Sequence, residues 1–222
     1  MQRNLSFSVG EFYHIYNRGV DKRVIFLDSY DKDRFIKLLF MCNSEKPIIY
    51  RDIKDITLGK LDLGDPLVSI GAYCLMDNHF HLLVKEIQEN GLSKFMNKLL
   101  TGYAMYFNIK YDRKGALYES TFKAKHLNAD EYLKYIFAYV HLNPIGLIDK
   151  NWKENHITDS QKAKIFLNGY PYSSYFEFLG SGNNRDERLI LNMADFPEYF
   201  NNKQDFGDFL DDWLNFSPIE PD

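Results

Sequence analysis

Two histidines separated by one residue stand at the centre of the most reactive stretch of this sequence. Residues 76–84 read MDNHFHLLV, so a polar turn is followed by an apolar run that opens with His79 and His81. Side chains alternate between the faces of a strand, so both imidazoles should project from one face and Phe80 from the other. Two imidazoles on one face can share a metal ion. Histidine is intermediate in burial, so a structural role for the pair is the alternative.

A helix is predicted over residues 129–144. Asn128 is the expected N-cap because acidic residues follow it, and the stop at residues 144–146, Pro-Ile-Gly, closes the segment. Tyr135, Tyr139 and Asn143 follow one another at intervals of four residues, which places them on one helical stripe. This stripe could present a nucleophile and a metal ligand to the histidines together.

Each member of the stripe also has a structural interpretation. An aromatic stripe is often core, and the chain has 16 tyrosines, so one near a landmark is expected by chance. Asn143 precedes Pro144 and could simply cap the helix end. Tyr135 is the rival nucleophile, one turn before Tyr139.

The residue types suit phosphoryl chemistry. Two neutral imidazoles and one amide oxygen form a half-filled coordination set, which leaves positions for phosphate oxygens and water on Mg²⁺ or Mn²⁺. A tyrosine hydroxyl has a pKa of about 10 in peptides and is a poor nucleophile at neutral pH. Attack on a phosphodiester therefore needs a metal to polarise the phosphoryl group.

The elements around these residues predict an α+β fold. Their order is β-α-β-β-α-β-α, which predicts a ferredoxin-like, mainly antiparallel sheet with helices on one face, followed by a C-terminal helical extension. The expected strands are Glu11–Arg18, Leu67–Leu75, His79–Lys85 and residues 116–127, with a possible short strand at 48–50; the expected helices are Asp31–Met41, 92–111, 129–144 and 194–216, with a loop at 180–184.

Composition and charge bound the function. The 222 residues include 45% hydrophobic side chains and only two cysteines, which predicts one globular domain in a reducing cytoplasm, with no disulfide framework and no membrane segment. The net charge is −4, but residues 1–150 carry 21 basic and 18 acidic side chains and residues 151–222 carry 6 and 13. We therefore expect a catalytic domain at 1–150 and an acidic extension at 151–222 that packs on or near it. Any basic groove must be local.

Several motifs together resemble the HUH single-tyrosine transposases, particularly the REP-associated tyrosine transposases and related insertion-sequence enzymes. The resemblance covers most of the chain and rests on the order and spacing of FYHIYNRG at 12–19, MDNHFHLL at 76–83, ALYESTFKA at 116–124, YVHLNPIGL at 139–147 and YPYSSYFEFLG at 170–180.

The resemblance implies a DNA strand transferase that uses Tyr139. In such enzymes the tyrosine becomes linked to the 5′ phosphate of cleaved single-stranded DNA at a hairpin-flanked site and leaves a free 3′ hydroxyl, so bond energy is kept in the covalent intermediate. His79, His81 and Asn143 would hold Mg²⁺ or Mn²⁺. No ATP or other organic cofactor is implied. Tyr135 lacks the asparagine four residues later that the pattern requires, which favours a role in packing or as a platform for a base.

DNA contacts are expected near the same motifs. Asn17 and Arg18 occupy an Asn-Arg-Gly turn, where a DNA role and a structural role are both open. Lys123 and Lys125 alternate on the predicted strand and suit phosphate contacts, although ordinary solvent exposure explains them as well. The chain has Ser-Thr at 120–121 where the family often has an arginine, so one arginine contact is missing or comes from elsewhere.

Two other function classes fit the same residues. One is a structured-DNA or RNA binding protein derived from a transposase, which would bind without cutting. The other is a metallohydrolase that uses His79 and His81 with a bound water and no covalent step. Oligomeric state stays open, because in a homodimer Tyr139 could serve the histidines of the partner. His14, His126 and His141 have weaker claims to a role in the site.

Overall fold

Four antiparallel strands form the sheet that carries the site. The structure, a computed structural model, describes residues 6–47, 57–152, 157, 159–179, 185–200 and 202–215. The strands are β1 (Phe12–Arg18), β2 (Val68–Leu75), β3 (His79–Glu86) and β4 (Lys123–His126), in the order β2-β3-β1-β4. Each neighbouring pair is antiparallel. This order confirms the predicted ferredoxin-like arrangement.

Two helices cover one face of the sheet. The helices of the described residues are α1 (Ser29–Cys42), α2 (Gly91–Lys110), α3 (Asp130–Leu142), α4 (Ser160–Gly169), α5 (Tyr175–Leu179) and α6 (Lys203–Asn215). Helices α1 and α2 pack on Ile15, Phe80 and Leu82, which alternate with the site-facing residues of β1 and β3. The rings of Phe35 on α1 and Phe80 on β3 lie 5.0 Å apart. This apolar layer supports the strands from behind the histidines.

Helix α3 lies on the opposite face, together with the later helices. Its residues Ile136 and Val140 belong to a second buried cluster with Ala72, Cys74 and Leu83 of the sheet. Phe206 and Leu210 of α6 belong to the same cluster, so α6 and the Tyr139 helix share one apolar core. None of the helices in the described ranges is long and apolar enough to cross a membrane.

Three sequence-based boundaries are wrong. Ala129, not Asn128, is the N-cap of α3, and it caps without a side-chain hydrogen bond. The strand expected at 116–127 is confined to Lys123–His126, because the Asn17 amide binds the carbonyls of Ser120 and Thr121 in place of a backbone ladder.

The helix expected at 194–216 begins only at Lys203, after a 3-10 turn at Met193–Asp195. Pro197 explains the gap, since it has no N–H and disfavours helical geometry in the residue before it. The short strand at 48–50 and the loop at 180–184 lie outside the described residues.

The loop after β1 fixes the turn between β2 and β3. The backbone N–H of Gly19 donates to the carbonyl of Asn78 at 2.9 Å, and the N–H groups of Ile25 and Phe26 donate to the carbonyl of Asp77 at 2.9 and 3.1 Å. A Cβ at Gly19 would lie 2.3 Å from the carbonyl oxygen of Arg23, so only glycine fits here.

Gly19→Ala should therefore destabilise the protein. The added methyl group must displace backbone, which costs about 1–3 kcal/mol as in other overpacked sites, and thermal unfolding would measure the loss. Gly102→Ala on α2 is the matched control, because its Cβ would meet nothing closer than Leu38 at 3.9 Å. Alanine at that helical position should leave the melting temperature equal or higher. Equal melting temperatures for the two variants would contradict the steric argument.

His141 ties α3 to the extension. Its Nδ1 lies 2.8 Å from the Phe137 carbonyl and its Nε2 lies 2.8 Å from the Ser174 hydroxyl. Burial lowers the pKa of His141 to about 3, so the ring is neutral at physiological pH. Ser174 in turn accepts from the backbone N–H of Tyr73 on β2 at 3.0 Å. A neutral imidazole thus joins helix, extension and sheet.

His141→Leu should lower the free energy of unfolding by about 1–3 kcal/mol, because the Ser174 hydroxyl loses a buried partner. Denaturant titration would measure this loss. His126→Leu is the control, since His126 pairs with Glu11 at the surface, where such pairs contribute about 0–1 kcal/mol. A loss at His126 as large as that at His141 would contradict the assignment.

Candidate active site

The register between β1 and β3 gathers the aromatic and imidazole side chains on one face of the sheet. Tyr16 lies opposite His81 and Arg18 lies opposite His79. Side chains alternate along each strand, so His79 and His81 share the face that α3 covers. Their ring centroids lie 5.1 Å apart at an interplanar angle of 89°. The structure thus places the two histidines together, as the sequence predicts.

Tyr139 reaches this face from α3. Its ring lies edge-on to His81 with the centroids 5.3 Å apart, and edge-on to His14 with the centroids 5.7 Å apart. Both contacts are made within one chain. The tyrosine and the histidine pair are therefore neighbours without any contribution from a second copy.

The turn residue Asn78 orients the ring of His79. The Nδ2 of Asn78 donates to the Lys22 carbonyl at 3.0 Å, which leaves its Oδ1 as the acceptor facing Nδ1 of His79 at 2.6 Å. Nδ1 of His79 must therefore carry the proton. The lone pair of this imidazole is then at Nε2, the nitrogen that can bind a metal ion.

His14 makes the corresponding contact to His81. Its Nε2 lies 2.9 Å from Nδ1 of His81, and the two side chains are only 6% and 5% exposed. The sequence analysis gave His14 a weak claim, so it missed this residue. The alternation of side chains along β1 could have identified it. His14 and Tyr16 are two residues apart and share one face of the sheet, and Tyr16 lies opposite His81.

Asn143 follows Tyr139 by one helical turn. It begins the 3-10 segment Asn143–Leu147, and its backbone N–H donates to the Tyr139 carbonyl. The side chain is 2% exposed, and Nδ2 has no hydrogen-bond partner among the described residues. The oxygen and nitrogen of an asparagine amide are distinguished only through their partners. If the amide were flipped so that Oδ1 took the place of Nδ2, a bound cation would give this buried atom a partner.

The donor types fit a divalent metal. No group of three or more His, Cys, Asp or Glu side chains within the described ranges is arranged to hold an ion. The predicted set instead takes its third donor from an amide, which is an oxygen ligand that Mg²⁺ and Mn²⁺ accept. One buried and one half-buried imidazole, each with a partner at Nδ1, and one buried, incompletely bonded amide match that requirement.

The side chain of Tyr135 is packed against other aromatic rings. Its ring lies 5.9 Å from that of Tyr139 and 5.3 Å from that of Trp213 on α6, and the side chain is buried. These contacts agree with the first of the two roles expected for it, packing. The tyrosine nearer the histidines is Tyr139.

The predicted DNA-contact residues divide into two groups. Asn17 is buried, and its amide donates to the carbonyls of Ser120 and Thr121 and accepts from the backbone N–H of Arg18. Asn17 therefore fills the structural role that was left open for it. Arg18 lies beside His79 in the β1–β3 register.

Lys123 and Lys125 lie on the edge strand β4, opposite Tyr16 and His14 respectively, so they share the face of the histidines. Lys123 forms an ion pair with Glu119 at 3.1 Å and lies 5.9 Å from the centre of the Tyr16 ring. The ammonium of Lys125 lies 5.0 Å from the centre of the Tyr132 ring on α3. Both lysines thus bring positive charge to the side of the site that β4 borders.

Fold and site together define a class: a ferredoxin-like domain with a histidine pair on its third strand and a tyrosine from a helix that crosses the same face. A family model described as "Transposase IS200 like" matches residues 35–143. This match confirms the resemblance to the IS200-like transposases.

A solved structure of a REP-associated tyrosine transposase bound to a REP hairpin is similar in fold, with a TM-score of 0.51 and 12% identity over 84% of this chain and 90% of that one. No curated protein sequence matches the chain.

Proposed function

We propose that this protein cleaves and rejoins single-stranded DNA through a 5′-phosphotyrosine on Tyr139. The match to the IS200-like transposase family model over residues 35–143 supports transposase-type chemistry. The observation that carries the residue assignment is the contact between Tyr139 and the histidine face, with the Tyr139 and His81 ring centroids 5.3 Å apart. A nucleophile must lie within reach of the group that activates its target.

Cleavage exchanges one phosphodiester bond for another. The Tyr139 oxygen loses its proton to solvent and bonds to phosphorus, while the bond from phosphorus to the 3′ oxygen breaks and that oxygen takes up a proton. Attack by a 3′ hydroxyl on the phosphotyrosine reverses the step and joins a strand. The edge-on packing of Tyr139 on His14 and His81 places the phenol ring beside the histidines before the reaction begins.

We assign the metal to Nε2 of His79, Nε2 of His81 and the amide oxygen of Asn143. Bound Mg²⁺ or Mn²⁺ would polarise the phosphoryl group and stabilise the leaving oxygen. Asn78 supports this assignment because it keeps the proton of His79 on Nδ1. The incompletely bonded amide of Asn143 supports it as well.

The proposed substrate is single-stranded DNA next to a hairpin. The structural relative was solved with a REP hairpin, and the lysines of β4 offer phosphate contacts beside the site. Arg18 borders the same face at His79. These cations supply the local positive charge that the overall charge of −4 lacks.

Tyr139→Phe should abolish the covalent adduct, because it removes only the attacking oxygen. The test incubates the protein with labelled hairpin-flanked single strands taken from the DNA around its gene, with Mn²⁺ or chelator, and resolves a denaturing protein gel. Tyr135→Phe is the matched control, one turn earlier on the same helix, and should keep the adduct.

The other outcomes of this gel identify other functions. An adduct that persists in Tyr139→Phe refutes the assignment of the nucleophile. Cut DNA without any adduct identifies a hydrolase that uses water. Salt-dependent binding with no product for any of the tested strands identifies a protein that binds DNA without cutting it.

His79→Ala and His81→Ala should each remove metal-dependent cleavage and weaken Mn²⁺ binding in calorimetry, while circular dichroism stays unchanged. The reason is that each variant removes one of the nitrogen donors. His126→Ala is the control. His126 is the β4 partner of Tyr13, so its side chain lies on the other face of the sheet from the two histidines. Unchanged Mn²⁺ affinity in the two strand variants would show that the donors lie elsewhere.

A further inference from the structure

We propose that His14 is a positioning residue that holds His81 in the one tautomer able to bind the metal. This inference rests on the proposed function, because it concerns the same ion. It assigns His14 no contact with DNA or with the metal. The role proposed here acts through the hydrogen bond with His81.

The geometry of the two imidazoles is that of a direct hydrogen bond. Nε2 of His14 and Nδ1 of His81 are 2.9 Å apart, and the rings lie at an interplanar angle of 19° with their centroids 5.0 Å apart. Both side chains are almost fully buried, so water cannot easily replace either partner. This bond joins β1 to β3 through side chains as well as backbone.

One proton serves this bond, and its position decides what His81 can do. If His14 is the donor, the proton of neutral His81 sits on Nε2 and that nitrogen cannot coordinate. If His14 is the acceptor, His81 carries its proton on Nδ1 and its lone pair on Nε2. Metal binding by His81 therefore requires His14 to accept.

Neighbouring rings fix the position of the His14 ring beside His81. Tyr16 stacks on it with the centroids 5.1 Å apart at 30°, and Tyr139 lies edge-on at 5.7 Å. Strand β1 is itself held between β3 and β4 by backbone pairing. The acceptor nitrogen consequently has a fixed place relative to His81.

The two predicted metal-binding histidines thus have partners of the same kind from different elements. Asn78 of the turn accepts from Nδ1 of His79, and His14 of β1 would accept from Nδ1 of His81. Partners of this kind fix ring orientation and tautomer, and their loss typically weakens metal binding by about 10- to 100-fold. A buried histidine with only a packing role would be replaced best by an apolar side chain.

A substitution series at His14 separates these roles. His14→Gln and His14→Glu retain an acceptor oxygen near the position of Nε2, whereas His14→Leu fills the space without an acceptor. We expect Mn²⁺ affinity in calorimetry to fall about 10- to 100-fold in His14→Leu. It should stay within a few fold of the wild type in His14→Gln and equal or exceed it in His14→Glu. His126→Leu on β4 is the control and should leave the affinity unchanged.

A second measurement reads the tautomer without any metal. Nitrogen-15 NMR of the metal-free protein should show His81 protonated at Nδ1 in the wild type and in His14→Gln, and a mixture of tautomers in His14→Leu. Protonation of His81 at Nε2 in the wild type would overturn the proposal. If His14→Leu does not fold, the Mn²⁺ affinities of His14→Gln and His14→Glu relative to the wild type still test the proposal.

The outcomes separate this inference from the proposed function. Full Mn²⁺ affinity in a folded His14→Leu protein, or equal losses in the Leu and Gln variants, would overturn the positioning role. A wild-type protein that binds no Mn²⁺ would refute the metal assignment of the proposed function, and the NMR result would then decide the His14 bond alone.

Discussion

The structure depends first on the cross-strand register of β1 and β3. Because side chains alternate with a period of two, a slip of one residue would turn His14, Tyr16 and Arg18 into the apolar layer beneath α1 and α2. Tyr13 and Ile15, which now fill that layer, would then face the histidines. The hydrophobic effect that buries one face of these strands therefore also arranges the polar residues on the other.

The sequence predicted the elements whose signals are local. The alternating aromatics of β1, the His-x-His opening of β3 and the three-to-four spacing of α2 each lie within a few residues, and the structure has them within one or two positions of their predicted ends. The helical stripe of Tyr135 and Tyr139 also follows from local spacing. Hydrophobic periodicity and the spacing of residues can both be measured in a single sequence.

The misses have long-range causes. The short length of β4 follows from the amide of Asn17, which is more than a hundred residues away in sequence from the carbonyls it binds. His14 gains its importance from His81, 67 residues later. Such contacts are set by the register of the sheet, so they become visible only once the strands are paired.

The outer edge of β2 is closed by the last part of the chain. Residues 172–174 pair with the backbone of Tyr73 and Leu75, and Asn192 donates to the carbonyl of Ile70. An open edge is a template for pairing with another chain. During synthesis β2 emerges long before Ser174, which lies 101 residues after its partner Tyr73. The nascent protein therefore passes through a stage in which a strand that is fully buried in the final fold has one uncovered edge. That edge is open to pairing with another chain until the C-terminal segment covers it.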